Sequence, residues 1–336
     1  MVTFGTVIFA SMKKFIVYTC IIIGGILALN PLSIKAQQTA QKFLRETQYL
    51  LALPEGYNDD TLSRWPLMVF LHGSGESGDD LEKVKMHGPP KLVAAGKKYP
   101  MIVVSPQAKP RYGWDPENLH HLISSIRQTY RVDEMRIYLT GLSMGGFGTW
   151  ALAMKHPEEF AAIVPICGGG DTTDAWKLRH IPVWCFHGAL DDVVPPARDE
   201  VMVNAVRVYN SNVHFTVYPD ANHNSWDRTY NNDSMYQWLL AQRKFTYKPV
   251  QVSNDILKNY TGKYVSSEKD TVIIKLENNE LKAVLTKKVF PLKAAGNDVF
   301  YIKEDVPVDL QFYNDKKGNT IYFIVYEERK ILYNKL

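Results

Sequence analysis

Short, continuous apolar runs alternate with amphipathic segments over residues 47–243 of the 336-residue chain. Continuous apolar runs are typical of parallel strands buried on both faces of a sheet, whereas apolar residues repeated every three to four positions predict helices. The runs predict strands at 47–54, 67–71, 101–106, 137–139, 161–166, 181–186 and 213–218. The helical segments are predicted at 118–126, 150–155, 200–208 and 234–243. This alternation indicates a mostly parallel sheet with helices on both faces and a functional site at the carboxyl ends of its strands.

A different pattern begins near residue 244. From residue 260 onward, apolar and polar residues alternate with a period of two, and short polar turn sequences separate the runs. This pattern predicts antiparallel hairpins. We therefore predict an α/β domain at 37–245 and a second, all-β domain at 246–336, built as a small barrel or a sandwich. The second domain contains no His, Cys or Trp, so a catalytic site is expected in the first.

The first 36 residues have the composition of a secretory signal peptide. Two lysines precede an apolar stretch at 15–29, and small residues lead up to Ala36. We predict that translation starts at Met12, that cleavage follows Ala36, and that the mature protein is secreted or periplasmic. The apolar stretch is shorter than the roughly twenty residues that span a bilayer, so no stable membrane anchor is expected.

Charge and cysteine content narrow the classes of function. The formal net charge is +4, and the first 36 residues hold three lysines and no acidic residue, so the mature chain carries about +1. No clustered basic face remains that would indicate nucleic-acid binding. Cys167 and Cys185 lie in apolar runs, which favours two buried thiols over a disulfide. Their spacing fits neither a zinc site nor a redox pair.

The main chemical motif is the sequence Gly-Leu-Ser-Met-Gly centred on Ser143, between a predicted strand and a predicted helix. A Gly-X-Ser-X-Gly turn in this position is a nucleophile elbow. Its strained backbone needs neighbours with almost no side chain, which Gly141 and Gly145 provide. The free amides at the start of the helix lie beside the serine, so Met144 N–H is a candidate donor to a developing oxyanion. Ser143 is the predicted nucleophile.

A serine nucleophile needs a histidine base and a carboxylate that orients this base. In folds with this order of elements, the acid follows a strand after the elbow and the histidine comes last. Asp191 follows the strand at 181–186 and is the predicted acid, with the adjacent Asp192 as the alternative. His223 lies in the polar loop after the last strand of the sheet and is the predicted base. His187, which precedes the acid at the end of a strand, is interpreted as structural.

A second oxyanion donor is expected from the loop that follows the strand at 67–71. The sequence His-Gly-Ser-Gly at 72–75 lets the backbone approach a substrate oxygen closely. Ser74 N–H is the predicted partner of Met144 N–H in the oxyanion hole, and Gly75 N–H is the alternative.

Five stretches of the first domain carry a family resemblance, and they lie at 71–76, 141–150, 160–169, 186–195 and 223–226. They resemble the α/β-hydrolase superfamily. Within it, the chain is similar to secreted esterases and predicted peptidases related to dienelactone hydrolase, feruloyl esterases and the catalytic domain of prolyl oligopeptidases. The stretch that begins at Tyr260 weakly resembles small β-barrel modules appended to serine β-lactamase-like proteins.

The predicted function is that of a secreted serine hydrolase that cleaves carboxylic esters through an acyl-enzyme, without a metal or organic cofactor. An open site suits small aryl or acetyl esters, such as feruloyl or acetyl groups on a plant polysaccharide. Trp114 and Trp226 are candidate stacking walls for such a substrate. Two alternatives stay open: a serine peptidase of the prolyl oligopeptidase type, and a non-catalytic binding protein on a hydrolase scaffold.

Overall fold

The computed structural model describes residues 47–110, 113–286, 288–303, 308–326 and 329–336. The signal peptide predicted for residues 1–36 therefore lies outside the described residues. Among the residues described, no helix combines the length and the apolar character needed to cross a membrane.

Within the described part of the chain, seven strands form the first sheet. They are β1 (Tyr49–Ala52), β2 (Trp65–Leu71), β3 (Ile102–Pro106), β4 (Val132–Leu142), β5 (Ala162–Ile166), β6 (Val183–Gly188) and β7 (Val213–Tyr218). Their order in the sheet is β1-β3-β2-β4-β5-β6-β7. β1 pairs antiparallel with β3 at one edge, and the other strands pair in parallel. The mostly parallel sheet predicted from the continuous apolar runs is therefore present.

Helices cover both faces of this sheet. They are α1 (Gly88–Ala94), α2 (Pro116–Thr129), α3 (Met144–Lys155), α4 (Ala197–Arg207), α5 (Trp226–Tyr230) and α6 (Asp233–Ala241). Alternate residues of β2 point to opposite faces. Val69 lies in an apolar cluster with Trp150 of α3 and Met202 of α4. Phe70 lies in a second cluster with Tyr230 of α5, so both faces of the sheet are buried.

The second part of the structure is a closed barrel of eight antiparallel strands. They are β8 (Gly262–Ser266), β9 (Thr271–Glu277), β10 (Glu280–Leu285), β11 (Lys288–Ala294), β12 (Val299–Ile302), β13 (Val308–Asn314), β14 (Thr320–Tyr326) and β15 (Lys330–Lys335). Each strand pairs with the next along the chain, and β15 pairs with β8 to close the barrel. The short helix α7 (Asn254–Tyr260) precedes it. Of the two architectures expected from the sequence, the barrel is the one observed.

The barrel contacts the first domain at the amino end of β6. Asp309 on β13 accepts hydrogen bonds from Arg179 Nε at 2.8 Å and from His180 Nε2 at 2.7 Å. The Tyr247 hydroxyl donates to the other Asp309 oxygen. Arg179 and His180 lie just before β6, whereas the predicted triad acid Asp191 lies just after it. This contact is therefore at the opposite end of the strand from the predicted catalytic residues.

Removing the Asp309 carboxylate is expected to destabilise the protein in a pH-dependent way. Burial alone would raise the pKa of Asp309, but the hydrogen bond from His180 and the charge of Arg179 lower it below the ordinary value of 3.8. A carboxyl with a lowered folded-state pKa stabilises the fold above its unfolded pKa, and this stabilisation is lost as the pH falls through the folded pKa. We expect Asp309→Ala to lower the free energy of unfolding by about 3 kcal/mol at pH 7 and by less below about pH 4.

Urea unfolding of Asp309→Ala measures this effect. The matched control is Asp298→Ala, which removes an exposed carboxylate from the same barrel and is expected to change the free energy of unfolding by about 0.5 kcal/mol or less. Equal stability of the two variants at pH 7 would show that the buried ion pair does not hold the barrel.

Candidate active site

The turn between β4 and α3 consists of one residue, Ser143. Its φ of 52° and ψ of −118° form a conformation that a non-glycine residue keeps only where its surroundings hold it. The neighbouring backbone leaves no room for side chains beside this turn. A Cβ at Gly145 would lie 2.0 Å from the Leu71 carbonyl oxygen, and a Cβ at Gly141 would lie 2.3 Å from the Gly145 carbonyl oxygen. The turn has the strained, glycine-dependent geometry expected of a nucleophile elbow.

Ser143, His223 and Asp191 form a hydrogen-bonded chain at the carboxyl ends of three strands. Ser143 follows β4, Asp191 follows β6 and His223 follows β7. His223 Nε2 lies 3.0 Å from Ser143 Oγ, and His223 Nδ1 lies 2.8 Å from Asp191 Oδ2. A carboxylate only accepts hydrogen bonds, so Nδ1 carries the proton and Nε2 is left to accept the hydroxyl proton of Ser143. The structure thus brings together the three residues that the sequence singled out.

The two adjacent acids differ in burial and direction. Asp191 is buried, and one of its oxygens faces His223. Its other oxygen accepts from the amides of Val193 at 3.0 Å and Val194 at 2.8 Å. Asp192 is exposed. The geometry therefore favours Asp191 as the acid that orients His223.

The loop after β2 borders the nucleophile. A Cβ at Gly73 would lie 3.6 Å from Ser143 Cβ. Ser74, the predicted oxyanion donor, begins a single 3₁₀ turn and is exposed, as is Gly75. Met144 is the first residue of α3, where the amides have no carbonyl partner within the helix. Both predicted donors thus belong to backbone segments beside Ser143.

His72 and Trp114 fix the position of this loop. His72 is fully buried, its Nδ1 donates to the Gly73 carbonyl at 2.5 Å, and its Nε2 accepts from the Ala108 amide at 3.0 Å. Burial lowers the pKa of His72 to about 4, so the ring is neutral at pH 7. Trp114 Nε1 donates to the His72 carbonyl at 3.1 Å, and the indole packs edge-on against the imidazole. Trp114 is half-buried, so it is not fully enclosed beside the loop.

The other predicted substrate wall, Trp226, packs against the predicted base. Its ring stands edge-on to His223, with 5.2 Å between the ring centroids, and lies 5.4 Å from the ring of His87. Trp226 is buried. We therefore expect Trp226 to support His223 and Trp114 to offer the more accessible aromatic surface.

His187 contacts the predicted triad acid, a role that sequence reasoning missed. Its Nε2 lies 3.1 Å from Asp191 Oδ2 and 2.8 Å from the Val194 carbonyl oxygen. Its Nδ1 lies 2.8 Å from Asp199 Oδ2, on α4. The sequence holds only a weak signal of this arrangement, the four-residue separation of His187 and Asp191, which does not reveal where the ring points.

The surroundings of His187 favour its charged form. Both of its ring nitrogens face acceptors, the Asp199 carboxylate and the Val194 carbonyl. Burial alone would lower the pKa of His187, but the Asp199 carboxylate and the Val194 carbonyl raise it above the ordinary value. Asp199 itself accepts hydrogen bonds from Trp150 Nε1 and from the Gly168 amide, each at 2.8 Å. The buried ring of His187 thus lies between the predicted triad acid and a second buried carboxylate.

Replacing His187 by asparagine or by glutamine distinguishes its contact with Asp199 from its contact with Asp191. Asparagine can replace Nδ1 and keep the bond to Asp199, whereas glutamine can replace Nε2 and keep the contact with Asp191. We expect His187→Asn to lower kcat for an aryl ester about 10- to 100-fold with little change in KM, because His187 positions Asp191 without touching substrate. His187→Gln is expected to retain more of the activity. Initial-rate kinetics on folded protein measure both, and a smaller loss in the asparagine variant would contradict the positioning role.

One group of potential metal donors occurs among the described residues, namely Cys167, Asp191 and His223, whose ligand atoms lie within 4.8 Å of one another. Burial raises the pKa of the Cys167 thiol well above its ordinary value, so the sulfur is protonated and a poor metal ligand. The other two side chains are hydrogen-bonded to each other. Asp191 and His223 therefore fit a carboxylate that orients a histidine base better than they fit a metal site. Cys167 and Cys185 are both free and buried, as the sequence predicted.

Residues 115–242 match the sequence profile of the dienelactone hydrolase family, and this stretch contains Ser143, Asp191 and His223. The bifunctional acetylxylan esterase/xylanase XynS20E of Neocallimastix patriciarum is 26% identical over 181 residues, which are 52% of this chain and 26% of that protein. The probable feruloyl esterase C of Aspergillus terreus is 26% identical over 154 residues, which are 44% of this chain and 56% of that protein.

Among solved structures, a thermostable esterase is 34% identical to this chain, with a TM-score of 0.50 and a match that covers 59% of each chain. The chain spans less than two thirds of the length of each of these relatives. These comparisons confirm the predicted α/β-hydrolase fold and the resemblance to dienelactone hydrolase and feruloyl esterases. They also agree with the predicted class of enzyme, a carboxylic ester hydrolase.

Proposed function

We propose that this chain, with its dienelactone hydrolase family domain, is a secreted serine esterase whose triad is Ser143, His223 and Asp191. The observation that carries this proposal is the continuous hydrogen-bonded path from Ser143 Oγ through His223 to Asp191. Its position at the carboxyl ends of parallel strands is where this class of fold binds its ligands. The signal peptide predicted before residue 37 supports secretion.

The first half of the proposed reaction forms an acyl-enzyme. Ser143 Oγ attacks the ester carbonyl carbon while His223 Nε2 takes the hydroxyl proton. Asp191 holds the ring in the correct tautomer and stabilises the imidazolium that forms. The negative charge on the carbonyl oxygen accepts hydrogen bonds from the amides of Met144 and Ser74. The carbon–oxygen bond to the alcohol then breaks, and the alcohol leaves with the proton from His223.

The second half releases the acid. His223 takes a proton from water, and the resulting hydroxide attacks the carbonyl carbon of the acyl-serine. The same two amides receive the oxyanion again. Collapse of this intermediate returns the proton to Ser143 Oγ and frees the carboxylic acid, so no group outside the chain is consumed except water.

The proposed substrates are small aryl or acetyl esters linked to carbohydrate, such as feruloyl or acetyl groups on a plant polysaccharide. The acetylxylan and feruloyl esterases among the relatives support this class. The half-buried ring of Trp114 beside the loop of Ser74 supports an aromatic acyl or alcohol group, because aromatic rings stack favourably on each other.

A substrate panel tests the proposal against its alternatives. The mature chain, residues 37–336, is given p-nitrophenyl acetate, methyl ferulate, acetylated xylan and an aminoacyl p-nitroanilide. We expect kcat/KM for the esters to exceed that for the anilide by at least about 100-fold, a difference of about 2.7 kcal/mol in transition-state stabilisation. A kcat/KM for the anilide equal to that for the esters would favour a peptidase of the prolyl oligopeptidase type. No hydrolysis of any substrate would favour a binding protein.

A further inference from the structure

The interior of the barrel is packed unevenly along its axis. At the end that α7 enters, large aromatic rings fill the space. Tyr260 stacks on Phe312 with 4.4 Å between centroids, and Phe300 meets Phe312 edge-on at 5.5 Å. Phe323 and Tyr333 stack at 5.0 Å near the middle of the barrel. Toward the other end, most of the inward-facing residues are smaller and aliphatic.

This difference in side-chain size leaves a cavity of about 240 Å³ above the floor formed by Phe323 and Tyr333. Its aliphatic walls include Val272, Ala283, Leu310, Val325 and Ile331. The residues of the wall become more exposed with distance from the floor. Phe323 is fully buried, whereas Val325, two residues further along β14, is half-buried. None of the described residues that line the cavity is charged.

A cavity of this size is unusual for a side-chain core. Protein interiors are close-packed and hold few voids larger than a water molecule. Eight-stranded barrels either fill their interior with side chains or hold one small ligand there. Apolar cavities of about 150 Å³ stay dry and bind molecules such as benzene, since water finds no polar partners in them. The volume and the lining of this barrel therefore match an apolar occupant.

We propose that the barrel binds one small, uncharged, apolar molecule of about the size of a substituted benzene ring. The aromatic floor suits contact with a ring, and the aliphatic walls offer no partner for a charged group. The site lies wholly between strands of the barrel and uses none of the residues assigned to ester hydrolysis. The proposal is therefore independent of the proposed enzymatic function.

The test uses 4-fluorotoluene as a probe and its ¹⁹F NMR signal as the readout, with the full mature chain. Val325→Phe inserts a ring into the cavity, and Val289→Phe makes the same change at an outward-facing position on β11 that is 55% exposed. We expect the wild type and Val289→Phe to broaden the probe signal with similar affinity. Val325→Phe is expected to bind the probe at least about tenfold more weakly, because the new ring occupies the space.

Two outcomes would overturn the proposal: no binding by the wild type up to the solubility of the probe, or equal binding by the two valine variants. Circular dichroism and urea unfolding check that each variant is folded. If Val325→Phe does not fold, Ala283→Leu adds a smaller side chain to the same cavity. Its affinity for the probe is then compared with that of Val289→Phe, and equal affinities would overturn the proposal.

Discussion

Replacing Ser143 by alanine is expected to lower kcat for p-nitrophenyl acetate by at least about 10⁴-fold. The variant lacks the proposed nucleophilic oxygen, and the proposed oxyanion donors alone accelerate attack by water only weakly. Removing one hydroxyl should leave the fold unchanged, because the strained backbone of the turn is held by the neighbouring strands and by Gly141 and Gly145. Steady-state rates and circular dichroism measure the two effects separately.

The matched control for this variant is Ser211→Ala, which removes an exposed hydroxyl between α4 and β7. It is expected to retain the wild-type rate within about twofold. A Ser143→Ala variant that keeps a tenth or more of the wild-type activity would show that another nucleophile, or a non-covalent route, hydrolyses the ester.

Replacing Asp191 by asparagine is expected to lower kcat by about 10³- to 10⁴-fold. The amides of Val193 and Val194 donate to one side of this group, so the asparagine oxygen must face them. Its NH₂ group then points at His223 Nδ1, which has to become an acceptor. The ring proton moves to Nε2, and His223 can no longer take the proton of Ser143.

Asp192→Asn is the control for this effect, because it makes the same chemical change at the next residue. The Asp192 side chain is exposed, so the variant is expected to keep its activity within about twofold. Rates of both variants, measured on p-nitrophenyl acetate at pH 7, decide between the two acids. A larger loss in Asp192→Asn would transfer the orienting role to that residue.

The sheet and the elbow were predictable from the sequence because their determinants are local. Strands buried on both faces require continuous apolar runs, and these runs mark the parallel strands. The turn at Ser143 requires glycines two residues before and after it, because the backbone of β2 comes within 2.0 Å of where a Cβ at Gly145 would lie. The order of elements along the chain then pointed to Asp191 and His223.

The features that the sequence did not reveal depend on contacts between distant elements. The contact of His187 with Asp191 depends on the direction of the imidazole ring, whose other nitrogen lies 2.8 Å from Asp199 on α4, twelve residues further along the chain. Alternating hairpins are compatible with a sandwich or a barrel, and the difference lies in the pairing of β15 with β8 across the whole domain. The contact of the barrel with the amino end of β6 is made through the buried Asp309, which accepts hydrogen bonds from Arg179 and His180.

The most direct test of the proposed triad is mass spectrometry of the intact mature protein after reaction with a fluorophosphonate. We predict a single phosphonyl adduct that peptide mapping places on Ser143. We also predict no adduct in Ser143→Ala and much slower labelling in His223→Ala, which lacks the proposed base. An unlabelled wild-type protein, or an adduct on a different residue, would contradict the assignment of Ser143 as the nucleophile.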